Sequence, residues 1–114
     1  MSHESICPRY HKAVELIGRR WSGAIISAML AGNTRYHEIR ESVREISDRM
    51  LAEWLRELEA EGVLTRTVFP TTPVRIEYEL TPKGRALQAT IVAIENWANE
   101  WIEPVTPVGA GPRR

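Results

Sequence analysis

Apolar residues recur at helical spacing through the first half of the chain. The first such stretch predicts a helix from Pro8 to about Gly18, because proline suits the first turn of a helix and glycine suits its end. A second helix is predicted from Trp21 to Gly32, where apolar residues follow the i, i+3, i+4, i+7, i+8 pattern. A short third helix is expected around Ile39, with one apolar face turned inward.

A fourth helix carries the clearest apolar stripe. Ser47 is a good N-cap for it, and Gly62 fits the position just after its end. The large apolar residues expected on its buried side are Leu51, Trp54, Leu55 and Leu58. Two helices joined by about four residues, the second of them capped, have the spacing of a helix-turn-helix.

After Gly62 the pattern changes to β-rich segments. Ranges 64–70 and 74–80 predict two strands of a ribbon, joined by a turn that contains Pro73. Thr81 and Pro82 suit the N-cap and first position of a last, continuous helix. That helix is apolar on two sides, which predicts a second copy of the chain as its partner. The expected fold is mainly α with a small β-ribbon: a winged helix-turn-helix with flanking N- and C-terminal dimerisation helices.

Length and composition restrict the class of protein. A chain of 114 residues suffices for one core, so one domain is predicted over residues 1–103, followed by a flexible tail over 104–114 with three prolines and two glycines. No apolar run approaches the ~20 residues of a membrane span, and the N-terminus lacks the pattern of a signal peptide. We therefore expect a cytoplasmic protein without a membrane partner.

The charges balance, with 15 basic and 15 acidic residues. Many DNA-binding domains are distinctly basic, so charge alone does not establish nucleic-acid binding. A protein-interaction module on the same scaffold therefore remains an alternative. An enzyme is not expected, because the chain has neither a glycine-rich phosphate loop nor a paired catalytic motif, and no cofactor is predicted.

Seven short motifs occur in order along residues 6–101. They are Cys7-Pro8, Leu16-Ile17-Gly18 leading to Trp21, Arg35-Tyr36-His37-Glu38-Ile39, Ile46-Ser47-Asp48-Arg49-Met50-Leu51, Leu55-Arg56-Glu57-Leu58-Glu59, Gly62-Val63-Leu64-Thr65-Arg66 and Tyr78-Glu79-Leu80-Thr81-Pro82-Lys83-Gly84. The set resembles the HxlR-type family of bacterial winged-helix transcription regulators, a relative of the MarR-type regulators. The resemblance implies a homodimeric repressor or activator that binds double-stranded DNA and dimerises through its first and last helices. His37 and Ala52-Glu53-Trp54 depart from residues common in that family, so the operator sequence does not carry over.

Helical geometry separates the faces of the fourth helix. Opposite the leucines, Arg49 can donate two hydrogen bonds to guanine and Glu53 can accept one from cytosine in the major groove. The alternative is a solvated face in which Glu53 pairs with Arg49 and Arg56. Arg66 is given a weaker role, because Glu79 is its expected partner across the ribbon. The predicted contacts to a near-palindromic operator are Ser47, Arg49, Ala52, Glu53 and Arg56 on the helix, Thr71, Thr72 and Arg75 in the wing, and Arg35 and Arg40 at phosphates.

Cys7 is the single cysteine and precedes Pro8, where a helix is expected to begin. A helix N-terminus and the nearby cations Arg9 and Lys12 both favour the thiolate form. Several HxlR-type regulators are thiol switches through a cysteine at this position, so the resemblance implies that Cys7 senses a small electrophile or an oxidant. The alternative is a small apolar residue buried in a dimer interface.

His3, Cys7 and His11 have a spacing that superficially suits metal ligands. Pro8 interrupts any single helix through all three, and a structural zinc site normally needs four ligands. No metal site is predicted.

Four aromatic residues flank the predicted domain. Tyr10, Trp21, Trp97 and Trp101 are expected to cluster between the dimerisation helices and the rest of the domain. Such a cluster is either part of the apolar packing or a pocket for a flat aromatic effector.

Overall fold

The structure is a computed structural model that describes residues 7–104. Six helices and two strands follow one another as α1 (Pro8–Gly18), α2 (Ser22–Leu30), α3 (Tyr36–Ser42), α4 (Asp48–Ala60), β1 (Leu64–Phe69), β2 (Arg75–Leu80), α5 (Pro82–Arg85) and α6 (Gln88–Trp101). β1 and β2 form an antiparallel two-stranded sheet. This order confirms the predicted winged helix-turn-helix. The predicted tail over 104–114 lies, apart from Pro104, outside the described residues.

The core lies among α2, α3, α4 and the base of the ribbon. Ile25, Ile26, Ile39, Leu51 and Leu58 are completely inaccessible to solvent there. By contrast, α1 has no buried residue and α6 has one. The helix-turn-helix with its ribbon therefore has a core of its own, and α1 and α6 are attached to its outside. None of the helices within the described residues is both long and apolar enough to cross a membrane.

The ends of α4 follow the prediction. The Ser47 side chain accepts a hydrogen bond from the backbone N–H of Met50 at 3.1 Å, as an N-cap does. Gly62 follows the helix with a φ of +80°, a conformation that glycine adopts without strain. Leu51, Leu55 and Leu58 are buried as expected, but Trp54 is only half-buried: it packs against the core and also contacts the Arg19 guanidinium.

The register of the ribbon contradicts one expected ion pair. Thr65 is opposite Glu79, whereas Arg66 is opposite Tyr78. Directly opposed residues share a face and consecutive residues alternate, so Arg66 and Glu79 project from opposite faces. The predicted Arg66–Glu79 pair is therefore wrong.

The predicted continuous last helix is also wrong, because it is divided into α5 and α6. Thr81 and Pro82 do begin α5, and the Thr81 hydroxyl accepts a hydrogen bond from the N–H of Gly84 at 3.1 Å. Gly84 is packed so closely on the start of the ribbon that a Cβ there would lie 2.2 Å from the Val63 carbonyl oxygen. The N–H of Leu87 then bonds to the Gly84 carbonyl in an i→i+3 turn, which ends α5.

Candidate nucleic-acid interface

The outer face of α4 is open to solvent. Arg49 has a side chain that is 89% exposed, and its Nε atom is 3.9 Å from Glu53 Oε2, too far for a hydrogen bond. The Arg49–Glu53 ion pair expected for a solvated face is therefore a long one without a hydrogen bond. Arg56 is exposed about two turns after Arg49, and Ala52 is half-buried between these two arginines. The face thus presents donors and an acceptor that no strong internal contact occupies.

Arg40 lies against Asp48 and is not free at the surface. Its Nε atom donates to Asp48 Oδ1 at 2.6 Å. The Tyr36 hydroxyl donates to the Asp48 backbone carbonyl at 2.9 Å. The bond and charge of Arg40 hold the pKa of Asp48 below its ordinary value. Burial, followed by the nearby Asp48 charge, raises the pKa of Tyr36. The sequence held no signal for this contact, because eight and twelve residues separate the partners.

Arg35 occupies the residue before α3. Its backbone N–H and that of Thr34 both donate to Glu38 Oε1, at 3.1 and 3.0 Å. These two bonds lower the pKa of Glu38 and cap the helix. The Arg35 side chain is half-buried, and a phosphate contact by it stays a prediction.

The side chains of the wing differ in how many contacts within the protein hold them. Arg75 Nε lies 3.0 Å from Glu77 Oε2, and its guanidinium carbon lies 4.3 Å from the centroid of the Phe69 ring. That Nε–H is buried and not aligned with any acceptor, so charge and stacking hold the side chain. Thr71 donates its hydroxyl to the Pro73 carbonyl at 2.7 Å. Thr72 is exposed at the tip, next to a cis bond to Pro73.

A cavity of about 350 Å³ lies where α4 meets the ribbon. Its lining residues are Ala52, Leu55, Arg56, Glu59, Arg66 and Tyr78. Arg66, for which we predicted only a weak role in DNA binding, therefore lies beside Arg56 at the junction of helix and wing. Only the register that sets Arg66 opposite Tyr78 places it there.

Cys7 is exposed and directly precedes α1. Its carbonyl accepts a hydrogen bond from the N–H of His11 at 2.9 Å. A cavity of about 540 Å³ runs along the same helix toward the start of the ribbon. The residues that line it are Pro8, Arg9, Lys12, Ala13, Leu16, Glu61, Val63, Lys83 and Leu87. His3 lies outside the described residues; within residues 7–104 no three potential ligands are grouped for a metal ion.

The expected aromatic cluster does not form within the chain. Tyr10, Trp97 and Trp101 are 63%, 58% and 67% exposed. Trp21 alone packs against the core, with the Arg20 guanidinium 4.8 Å from its ring centroid. The reason is that α1 and α6 lie outside the core, so their aromatic residues project away from it.

Comparison with known proteins decides the family. A model of the HxlR-like helix-turn-helix family matches residues 16–106. The chain belongs to that family. The HTH-type transcriptional regulator YvaP of Bacillus subtilis, itself uncharacterized, is 47% identical over 104 residues, which is 91% of this chain and 96% of YvaP. YodB of the same organism, an HTH-type transcriptional regulator, is 44% identical over 100 residues, covering 88% of this chain and 89% of YodB.

Solved structures agree with this HxlR-like assignment. The reduced form of the transcriptional regulator YodB superposes with a TM-score of 0.77 at 43% identity, over 90% of this chain and all of that one. YodB has also been solved after diamide treatment and with bound quinone. The redox regulator HypR, in its oxidized form, gives a TM-score of 0.77 at 34% identity over 86% of this chain and all of that one. This HxlR-like chain is thus a helix-turn-helix transcription regulator by family, and redox regulators are among its structural neighbours.

Proposed function

We propose that the protein is a sequence-specific regulator that places α4 in the major groove and the β1–β2 wing at the minor groove. The observation that carries the proposal is the open outer face of α4, where Arg49 is 89% exposed at the capped end of the helix. N-terminal residues of a recognition helix are those that reach base edges. Glu53 and Arg56 extend the same face toward neighbouring bases and phosphates. We propose no enzymatic activity, in keeping with relatives that are transcriptional regulators.

We further propose that two copies assemble through α1 and α6. These helices bury almost none of their own side chains, and they expose large apolar residues at Tyr10, Val14, Val92, Ile94, Trp97 and Trp101. Exposed apolar surface of this kind marks an interaction site. Two-fold symmetry then predicts a near-palindromic operator with half-sites about 10 base pairs apart. Sedimentation of the purified protein at micromolar concentration tests the assembly, and a monomer would contradict it.

Cys7 is the proposed switch, and its exposure supports this role. With a quinone, the thiolate adds to a ring carbon; the proton on that carbon moves to one quinone oxygen and water supplies a proton to the other, which gives a thioether of the hydroquinone. With diamide, two thiolates lose two electrons to form one disulfide, and the reagent takes up two electrons and two protons. Each chain has one cysteine, so that disulfide joins two subunits. An aromatic effector held among Tyr10, Trp97 and Trp101 at the dimer interface is the second candidate, supported by their exposure.

Duplex binding tests the central proposal. Genomic fragments selected by the purified protein define the operator, and its affinity is then measured against salt concentration. A DNA-binding protein loses affinity steeply as salt rises, whereas a protein-interaction module shows no such binding. Arg49→Ala is expected to lose discrimination at one base pair, and Arg75→Ala to weaken binding more evenly. Unchanged operator affinity in both variants would contradict the proposed mode.

A further inference from the structure

Two side chains of α3 converge on the first residue of α4. Tyr36 and Arg40 are four residues apart on α3, so they project from the same face of that helix. The Tyr36 hydroxyl bonds to the Asp48 carbonyl at 2.9 Å, and Arg40 Nε bonds to the Asp48 carboxylate at 2.6 Å. We call these three residues the α3–α4 polar contact. It ties both the backbone and the side chain of Asp48 to the preceding helix.

An acidic residue at this place works against DNA binding by simple charge. Asp48 stands next to Arg49, at the end of α4 that enters the groove, where a carboxylate repels phosphates. The Asp48 side chain is 74% exposed, so it does not contribute to the packing of the core. The charge of Arg40 offsets that repulsion, and its hydrogen bond to the carboxylate joins the two helices. Arg40 Nε is engaged by this carboxylate, and a phosphate contact by the rest of the guanidinium stays a prediction.

We infer that Asp48 is a positioning residue that sets the direction in which the start of α4 meets the base edges. The inference rests on the proposed function, because it concerns DNA recognition by the same helix. Base readout depends on the angle of the helix within the groove, whereas affinity for phosphates is sequence-independent. Loss of the α3–α4 polar contact therefore reduces discrimination between sequences more than it reduces general affinity for duplex DNA.

The experiment compares Asp48→Asn with Glu45→Gln on the operator and on an unrelated duplex of equal length. Glu45 is exposed three residues upstream and makes no ion pair within the described residues, so its variant removes the same charge without the contact. Asp48→Asn is expected to lose about tenfold or more in the ratio of the two affinities. Glu45→Gln is expected to keep that ratio. If Asp48→Asn keeps it too, Asp48 is only a surface charge and the inference is wrong.

Arg40→Gln supplies an independent test through the salt dependence. As part of the α3–α4 polar contact, it should lose operator discrimination beyond any equal loss on both duplexes that the unpaired Asp48 carboxylate causes. A phosphate contact would instead lower the slope by about one and weaken both duplexes equally. That result would overturn the inference. The exchanged pair Arg40→Asp with Asp48→Arg is expected to recover part of the discrimination, since the attraction is restored.

Folding and function are separated by two further controls. Circular dichroism of each variant shows whether the helices are retained, and Tyr36→Phe removes only the hydroxyl if Asp48→Asn fails to fold. Tyr36→Phe is expected to lower discrimination in the same direction, and unchanged discrimination in that variant counts against the inference. A wild-type protein that selects no duplex contradicts the proposed function itself. If the wild type selects an operator and Asp48→Asn discriminates it from the unrelated duplex equally well, only the proposed role of Asp48 is contradicted.

Discussion

The guanidinium of Arg19 stacks on the indole ring of Trp54, with its central carbon 4.3 Å from the ring centroid. Its Nη1 atom is also 2.9 Å from Glu57 Oε1 on the same helix, α4. Arg19 directly follows α1, the helix that begins after Cys7. Since α1 buries none of its residues, this contact is one of the few that attach it to α4.

Arg19→Ala is expected to lower the free energy of unfolding by about 0.5–1 kcal/mol, the usual contribution of a cation–π contact at an exposed site. Arg19→Lys keeps a charge near Glu57 but loses the flat stacking surface, so it should recover only part of this loss. Denaturant unfolding measures both. A double-mutant cycle with Trp54→Leu should give a coupling near the single-variant loss, and additive effects would contradict a direct contact.

Gly84→Ala is expected to destabilise the protein by about 2 kcal/mol or more, because overpacking against an immobile neighbour is costly. The added Cβ would lie 2.2 Å from the Val63 carbonyl oxygen, which belongs to the backbone. Gly23→Ala is the matched control, since a Cβ at Gly23 meets nothing within 4 Å and alanine favours a helix interior. Equal unfolding midpoints for the two variants would contradict the close packing of α5 on the ribbon.

We expect the free energy of unfolding to fall in acid as Glu38 and Asp48 become protonated. Backbone N–H groups lower the folded-state pKa of Glu38, and Arg40 lowers that of Asp48. A lowered pKa means that the stabilisation is fully present above the unfolded-state value, near pH ~4, and is lost as pH falls below it. The midpoint temperature of thermal unfolding should decline less steeply for Glu38→Gln than for the wild type between about pH 5 and about pH 2, the range around ordinary carboxyl pKa values. Glu100→Gln, exposed on α6, should follow the wild type. An identical decline in all three proteins would contradict the role of Glu38.

Cys7→Ser is expected to bind the operator as the wild type does and to lose the response to quinone and diamide. Intact-mass measurement should find one quinone per wild-type chain and none on the variant. After diamide treatment, non-reducing electrophoresis should show a covalent dimer for the wild type only. A response that survives in Cys7→Ser would direct attention to the exposed aromatic residues of α1 and α6.

Local patterns predicted much of the fold, because caps and stripes depend on neighbouring residues. The Ser47 cap, the glycine after α4 and the buried leucines are all encoded within one or two helical turns. What the sequence did not indicate depends on distant parts of the chain. Gly84 in α5 packs against Val63, twenty-one residues earlier in the chain, and the position of Arg66 requires the ribbon register.

The candidate site shows the same division. The amphipathic pattern of α4 was enough to nominate Arg49 and Glu53, which the structure leaves exposed. The engagement of Arg40 by Asp48 could not be inferred, because it requires α3 and α4 to be brought together by the common core, which includes Ile39 and Leu51. The exposure of Tyr10, Trp97 and Trp101 likewise follows from where α1 and α6 attach, which no local pattern determines.

The close packing of Gly84 on Val63 has a geometric consequence for operator length. The 14 residues of α6, which begin four residues after Gly84, extend about 21 Å, at about 1.5 Å per residue. A tilt of about 10° at its base would move the far end by about 4 Å, slightly more than the ~3.4 Å between successive base pairs. In a dimer joined through α6, a tilt of this size would therefore change the distance between the two half-sites by about one base pair.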